Sequence, residues 1–292
     1  MTDRRRFIIF LLVTFGFGWL MQGLGIALGG VWFTVCLSVN MFAPLLGVLI
    51  SHGGLKKDRT GIGWRPQIPG RFRWYAAAWF GPIALSLLGA AVFYLLFPAR
   101  FDGSMSALAS QLEAAKAAGQ DIPLSPPLLA VITLLQSISY APFINMLLAV
   151  GEETGWRGYM TPCLISRFGR TRGLVLSGII WGAWHWPVII LAGYNFGKGY
   201  PAYPLPGMLA MCVSCTALGV LLSYLYERTD CIWAPALAHG AINAAAGIGV
   251  LFLPAGETSL FLGPTPLGLL SGLPLYLLAL ALLLRKPGSQ KT

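Results

Sequence analysis

The feature that most constrains this 292-residue chain is a series of long apolar segments. Because the hydrocarbon core of a bilayer is about 30 Å thick, one helical crossing needs roughly 20 apolar residues. Eight segments reach that length, at residues 7–30, 31–51, 74–97, 128–151, 173–193, 207–226, 231–253 and 267–284. Only 10% of the residues are charged, which excludes a water-soluble enzyme and a disordered chain.

The apolar segments are continuous rather than alternating, which favours helices over a transmembrane β-barrel. We therefore expect an all-α membrane protein, a bundle of about eight transmembrane helices that forms a single integral membrane domain over residues 1–292. The motifs described below lie in a core at 128–253. The largest outer loop is expected at 98–127, where the Ala- and Gln-rich stretch 105–118 predicts a short surface helix.

The basic residues predict how the chain is oriented in the membrane. With eight crossings, 17 of the 20 lysines and arginines fall on one face. These are Arg4, Arg5, Arg6, Lys56, Lys57, Arg59, Arg65, Arg71, Arg73, Arg157, Arg167, Arg170, Arg172, Arg228, Arg285, Lys286 and Lys291. The positive-inside rule then places both termini in the cytoplasm.

The net charge of +10 is explained by interaction with the lipid bilayer. The charge is spread over loops that flank the membrane, where it attracts anionic lipid, and no nucleic-acid-reading module accompanies it. We expect no nucleic-acid partner. The overall character of the chain suits a bacterial inner (plasma) membrane.

Two adjacent acidic residues stand at the predicted cytoplasmic end of the fourth span. In Glu152-Glu153-Thr-Gly-Trp-Arg157, Glu153 and Arg157 are four residues apart and should pair on one helix face. Glu152 is turned about 100° away and lacks that partner, which suits it to act as a general base. An interfacial charge cluster that anchors the end of the span is an equally weighted alternative.

Two histidines fall inside apolar segments. His185 follows Trp181 by four residues within the fifth, and His239 precedes Asn243 by four within the seventh, so the latter two share a helix face. Each case alone also fits a polar group satisfied by a neighbouring helix. Three polar clusters at matching depth, however, favour one shared cavity, because intramembrane polar groups are costly.

A carboxylate, two imidazoles and a carboxamide suit hydrolysis by an activated water. In one scheme Glu152 and His185 hold the water, while His239 and Asn243 face the carbonyl oxygen as it becomes an oxyanion. In the other, Glu152, His185 and His239 bind Zn²⁺ and leave a fourth position for water. No cofactor is firmly indicated, and the metal-free scheme is preferred.

In their order along the chain, Glu-Glu-x-x-x-Arg, aromatic-x-x-x-His and His-x-x-x-Asn resemble the motifs of the CPBP intramembrane proteases, which include the type II CAAX prenyl endopeptidases. The resemblance covers residues 152–243. It implies a catalytic base at Glu152, its water-holding partner at His185, and an oxyanion hole formed by His239 and Asn243. It also implies supporting roles for Glu153, Arg157 and Trp181. The commonest form of the second family motif has Phe at the position of Trp181, and this difference should affect how the substrate fits more than it affects the chemistry.

The leading hypothesis is therefore a CAAX-protease-like intramembrane endopeptidase that acts near the cytoplasmic face. Its substrate would be a peptide or a membrane protein, prenylated or not. A proton-coupled transporter is an alternative, because buried Glu and His also mark ion paths. A non-catalytic bacteriocin-immunity or interaction protein on the same scaffold is another.

Overall fold

The computed structural model describes residues 3–53, 61–120 and 122–285, and these form helices joined by turns and loops, with no strand element. The α-helices are α1 (Asp3–Leu28), α2 (Gly30–Asn40), α3 (Ala43–His52), α4 (Phe72–Leu96), α5 (Ser106–Ala117), α6 (Pro126–Ile138), α7 (Ala141–Gly155), α8 (Thr161–Phe168), α9 (Arg170–Trp184), α10 (Trp186–Ala192), α11 (Leu205–Thr229), α12 (Trp233–Ala245) and α13 (Leu273–Leu284). The predicted all-α membrane architecture is confirmed.

Six helical segments of the described chain are long and apolar enough to cross a bilayer. They are Asp3–Leu28, Gly30–His52, Phe72–Leu96, Arg170–Ala192, Leu205–Thr229 and Trp233–Phe252. A seventh crossing results if α6 and the helical stretch that starts with α7 count as one span. The protein is thus a multi-pass integral membrane protein, while the side on which its termini lie stays a prediction. Five of the basic residues behind that prediction lie outside the described residues, namely Lys56, Lys57, Arg59, Lys286 and Lys291.

The fourth predicted span, 128–151, is not one straight helix. α6 ends at Ile138, α7 begins at Ala141, and the two segments meet at an angle of 53°. Pro142 explains the break, because a proline removes a helical N–H donor and disfavours the helical conformation of the residue before it. The helical stretch then continues to Phe168, well beyond the predicted end.

The eighth predicted span, 267–284, was too long. Only Leu273–Leu284 is helical, and 12 residues rise about 18 Å, which is less than a bilayer core. The preceding stretch is rich in Gly and Pro and forms turns. Those turns pack into the bundle: a Cβ atom at Gly89 of α4 would lie 2.0 Å from the carbonyl oxygen of Ser271.

A short helix does form in the predicted outer loop. It is α5, which spans Ser106–Ala117 and is largely exposed. Asp102 precedes it, and its carboxylate accepts hydrogen bonds from the backbone N–H groups of Ser104 and Ser106, each at 2.9 Å. Its position relative to the membrane remains a prediction.

Close helix packing in the bundle depends on glycines spaced four apart. On α9, Cβ atoms at Gly178 and Gly182 would lie 2.2 Å from the Cα of Thr216 and 2.5 Å from the Cα of Cys212, both on α11. On α7, Gly151 and Gly155 face the α2–α3 region in the same way. Small residues at this spacing let helix backbones approach closely in membranes.

We predict that Gly182→Ala lowers the thermal unfolding midpoint in detergent. The added methyl group has no room beside the α11 backbone, and overpacking of this kind costs about 1–3 kcal/mol. Gly23→Ala is the matched control, since no atom lies within 4 Å of a Cβ at that position on α1. Equal midpoints for the two variants would contradict the packing described here.

Candidate functional site

The site begins where α7 gives way to a wider helical turn. Glu152 and Glu153 lie in the last turn of α7, and Trp156–Met160 forms a π-helix in which the N–H of Thr161 bonds the carbonyl oxygen of Trp156. π-bulges of this kind are frequent at functional sites.

The carboxylates of Glu152 and Glu153 are almost completely buried, with exposed fractions of 3% and 0%. This burial disagrees with an interfacial anchor, which would face water and headgroups.

Glu153 is held between two basic groups. Its Oε2 lies 3.1 Å from Nε of Arg157, which confirms the predicted pair, and its Oε1 accepts a hydrogen bond of 2.7 Å from Nδ1 of His239. The guanidinium of Arg157 also lies over the ring of Trp181, 4.2 Å from its centroid. This carboxylate therefore joins α7 to α12, and its partner arginine joins them to α9.

Glu152 has different neighbours. Its Oε2 accepts hydrogen bonds from two indole N–H groups, Trp156 at 3.0 Å and Trp181 at 2.8 Å. Across the described part of the chain, Oε1 accepts no hydrogen bond and no cation pairs with the carboxylate, and the residue lines a cavity. Glu152 is thus oriented by neutral donors and keeps one oxygen available.

His185 stands at the break between α9 and α10. Pro187 follows it closely, which accounts for the break because the proline ring cannot continue the helix from α9. Its Nδ1 lies 3.0 Å from the carbonyl oxygen of Trp181, an acceptor only, so Nδ1 carries the hydrogen and Nε2 is an acceptor. The ring of Tyr194 lies parallel to the imidazole, with 6.1 Å between centroids.

His239 is fixed in a similar manner from the opposite side. Because the carboxylate of Glu153 can only accept, Nδ1 of His239 donates to it and Nε2 points elsewhere. The ring lies edge-on to Trp181 at 5.3 Å, so the two imidazoles flank the same indole. Asn243 follows one helical turn later on the same face of α12.

One cavity of about 390 Å³ is lined by Glu152, His185, His239 and Asn243 together. Three separate helical segments supply these side chains, as the spacing and depth of the motifs predicted. The other walls come from the α2 region, residues 33–41, and from the turns at residues 265–267. This volume lies within the range of small-molecule pockets.

Several residues that line or orient the site were not predicted. Trp156 lies four residues after Glu152 and donates a hydrogen bond to its carboxylate. This i, i+4 spacing is visible in the sequence and could have indicated the contact. Asn145 and Tyr194 also line the cavity. Cys215 of α11 also lines the cavity, because α11 packs against α9 through Gly182.

The zinc scheme requires Glu152, His185 and His239 to converge on one point. Among the described residues, no group of three or more His, Cys, Asp or Glu side chains is gathered closely enough to hold a metal ion. Glu152, His185 and His239 share a cavity, but the donor set does not fit zinc as it stands.

Comparisons with known proteins agree with the motifs. Residues 131–245 match a family model described as Rce1-like, type II CAAX prenyl endopeptidase Rce1-like. A curated relative, CAAX prenyl protease 2 from Methanococcus maripaludis, is 43% identical over 49 residues. That match spans 17% of this chain and 18% of the relative. Over this segment the predicted resemblance to the CPBP family is confirmed.

The two adjacent carboxylates should respond differently to the same substitution. Glu153→Gln removes the charge that balances buried Arg157, and breaking a buried pair of this kind costs about 3–5 kcal/mol. Glu152→Gln keeps an oxygen that accepts both indole N–H groups and is expected to cost far less. Thermal unfolding of the two variants beside wild type measures the difference, and a larger loss for Glu152→Gln would refute this division of roles.

Proposed function

Since residues 131–245 match the Rce1-like family of type II CAAX prenyl endopeptidases, we propose that this protein is an intramembrane endopeptidase. One observation carries the proposal: an available oxygen of Glu152, the Nε2 atoms of two oriented imidazoles, and the Asn243 carboxamide belong to residues that line one cavity. These are the groups that hydrolysis by an activated water requires.

The reaction begins with a water held between Oε1 of Glu152 and Nε2 of His185, which each accept one of its hydrogens. Glu152 takes a proton as the oxygen of the water adds to the carbonyl carbon of the peptide bond. Negative charge then develops on the carbonyl oxygen. The Nδ2–H of Asn243 donates to it, together with Nε2–H of an imidazolium at His239, and the charge of the oxyanion balances that of the imidazolium.

Collapse of this intermediate breaks the C–N bond, and Glu152 returns its proton to the leaving nitrogen. A carboxylic acid and an amine result, and the enzyme is back in its starting state. Trp156 and Trp181 hold the base in position throughout. Trp181 also lies against both imidazoles and Arg157, so it helps to position Glu152, His185 and His239 relative to one another.

We predict that Glu152→Gln and His185→Phe each reduce peptide cleavage by at least about 100-fold, the usual minimum for a lost general base. Purified protein in detergent or nanodiscs and a quenched fluorescent peptide give the measurement. Glu113→Gln, the same change at an exposed position on α5, is the control and should leave cleavage intact. Full activity in either site variant would refute the assignment.

A thiol mechanism is separated from this one by Cys215→Ala. Cys215 lines the cavity, but no imidazole hydrogen-bonds its sulfur within the described chain, so it lacks the base that a cysteine nucleophile needs. Most of the turnover should therefore survive in this variant. Its abolition would instead indicate an acyl-enzyme route through the thiol.

Metal dependence has its own test. We predict that prolonged chelation followed by dialysis leaves the turnover unchanged, because the site side chains supply the base and the oxyanion donors themselves. Metal analysis of the purified protein should then find far less than one zinc per chain. Loss of turnover that zinc restores, with about one ion bound per chain, would establish the zinc scheme instead.

The substrate we propose is a peptide tail or a membrane-protein segment presented near the predicted cytoplasmic face of a bacterial plasma membrane. The name of the relative from Methanococcus maripaludis, CAAX prenyl protease 2, points to prenylated CAAX tails, and matched prenylated and unmodified peptides test that choice. Flux assays in liposomes address the transporter alternative. The Glu152→Gln variant addresses the immunity alternative. A non-catalytic immunity protein would still protect its host cell when Glu152 is replaced, whereas an enzyme would lose its function.

A further inference from the structure

Asn145 is a polar residue of α7 that the mechanism above does not use. It lies seven residues before Glu152, with Leu148 between them, and all three line the same cavity. Seven residues are about two helical turns, so the three side chains share one face of α7. Along the helix axis, Asn145 and Glu152 are separated by about 10.5 Å.

The carboxamide of Asn145 makes no side-chain hydrogen bond to any residue that the structure describes. Its neighbour across the helix contact is α12: a Cβ atom at Gly240 would lie 3.0 Å from the carbonyl carbon of Asn145. Asn243 follows Gly240 by three residues and lines the same cavity. Two carboxamides from two tightly packed helices thus belong to one cavity wall.

An amide in a membrane-spanning segment is costly unless it finds a hydrogen-bond partner. Asn145 is therefore suited to bind an occupant of the cavity that has both a donor and an acceptor. A peptide backbone amide has this composition, since Oδ1 can accept its N–H while Nδ2 donates to its C=O. An extended peptide advances about 3.3 Å per residue, so 10.5 Å corresponds to about three residues.

We propose that Asn145 is a substrate-positioning residue that binds the peptide backbone about three residues from the scissile bond. The inference rests on the proposed peptidase function and adds a binding position to it. A substrate bound in this way must be an extended, unfolded segment at the position of Asn145. A folded helix at this position has its backbone amides already paired and offers Asn145 none.

The test compares wild type with Asn145→Leu on a series of peptides in which one backbone amide at a time is replaced by an ester. An ester lacks the N–H donor but keeps the side chains. In wild type, the ester about three residues from the scissile bond should raise KM about tenfold with little effect on kcat, in line with one lost hydrogen bond. Asn145→Leu should raise KM for the parent peptide by a similar factor.

The decisive result is the combination. In Asn145→Leu the same ester should cause no further increase, because the partner of the missing N–H is already gone. Ile144→Ala is the matched control on α7: its side chain is 56% exposed and does not line the cavity, so the ester effect should persist at wild-type size. If Asn145→Leu does not fold, Asn145→Ala carries the same comparison.

Two results would overturn the inference while the peptidase function stands. One is an unchanged KM in Asn145→Leu, and the other is an ester effect that adds to the effect of the variant at every position. The second of these results, accompanied by lower thermal stability and a lower kcat in Asn145→Leu, would show that the role of Asn145 is merely structural. A wild-type protein that cleaves no peptide would instead refute the proposed function itself.

Discussion

A buried carboxylate shared by a guanidinium and an imidazole holds the centre of this structure together. Glu153 pairs with Arg157 on its own helical stretch and accepts a hydrogen bond from His239 on α12. Arg157 in turn covers the ring of Trp181 on α9. Buried ions cost several kcal/mol each unless they are paired, so the packing of these helices must keep the Arg157 guanidinium beside the Glu153 carboxylate. That arrangement brings Glu152, His185 and His239 to one cavity.

The bundle around this centre combines close helix packing with breaks in two of its helical spans. Glycines on α7 and α9 let neighbouring backbones come close, whereas α9 stops at His185 and α6 stops before Ala141. Irregular backbone inside a membrane protein is tolerated where it lines a cavity or is covered by protein. The break at His185 fixes the tautomer of its ring through the carbonyl oxygen of Trp181, and so a helix terminus becomes part of the chemistry.

Much of the site was predictable because its signals are local. The spacing of Glu153 and Arg157 follows from helix geometry, and the same geometry places His239 and Asn243 on one face. The hydropathy of the chain predicted the membrane fold, and six of its long apolar helices were expected. The motif order then indicated that the three clusters belong together.

Other features depend on contacts between distant parts of the chain and could not be predicted in this way. The hydrogen bond from His239 to Glu153 joins residues 86 positions apart, and the stacking of Tyr194 on His185 depends on how a loop folds back. The shortened last helix follows from Gly and Pro residues whose effect a hydropathy window averages away. Asn145 was overlooked because a single amide in an apolar run carries no distinctive spacing until the cavity is known.

The most direct test of this account is an experimental map of the protein in lipid nanodiscs at a resolution that shows side chains. We expect Nδ1 of His239 within hydrogen-bond distance of Glu153, and the imidazoles of His185 and His239 facing the same cavity as Glu152. A map in which either imidazole faces lipid, or in which Glu153 is separated from His239 by another helix, would contradict the convergence on which the proposed chemistry depends.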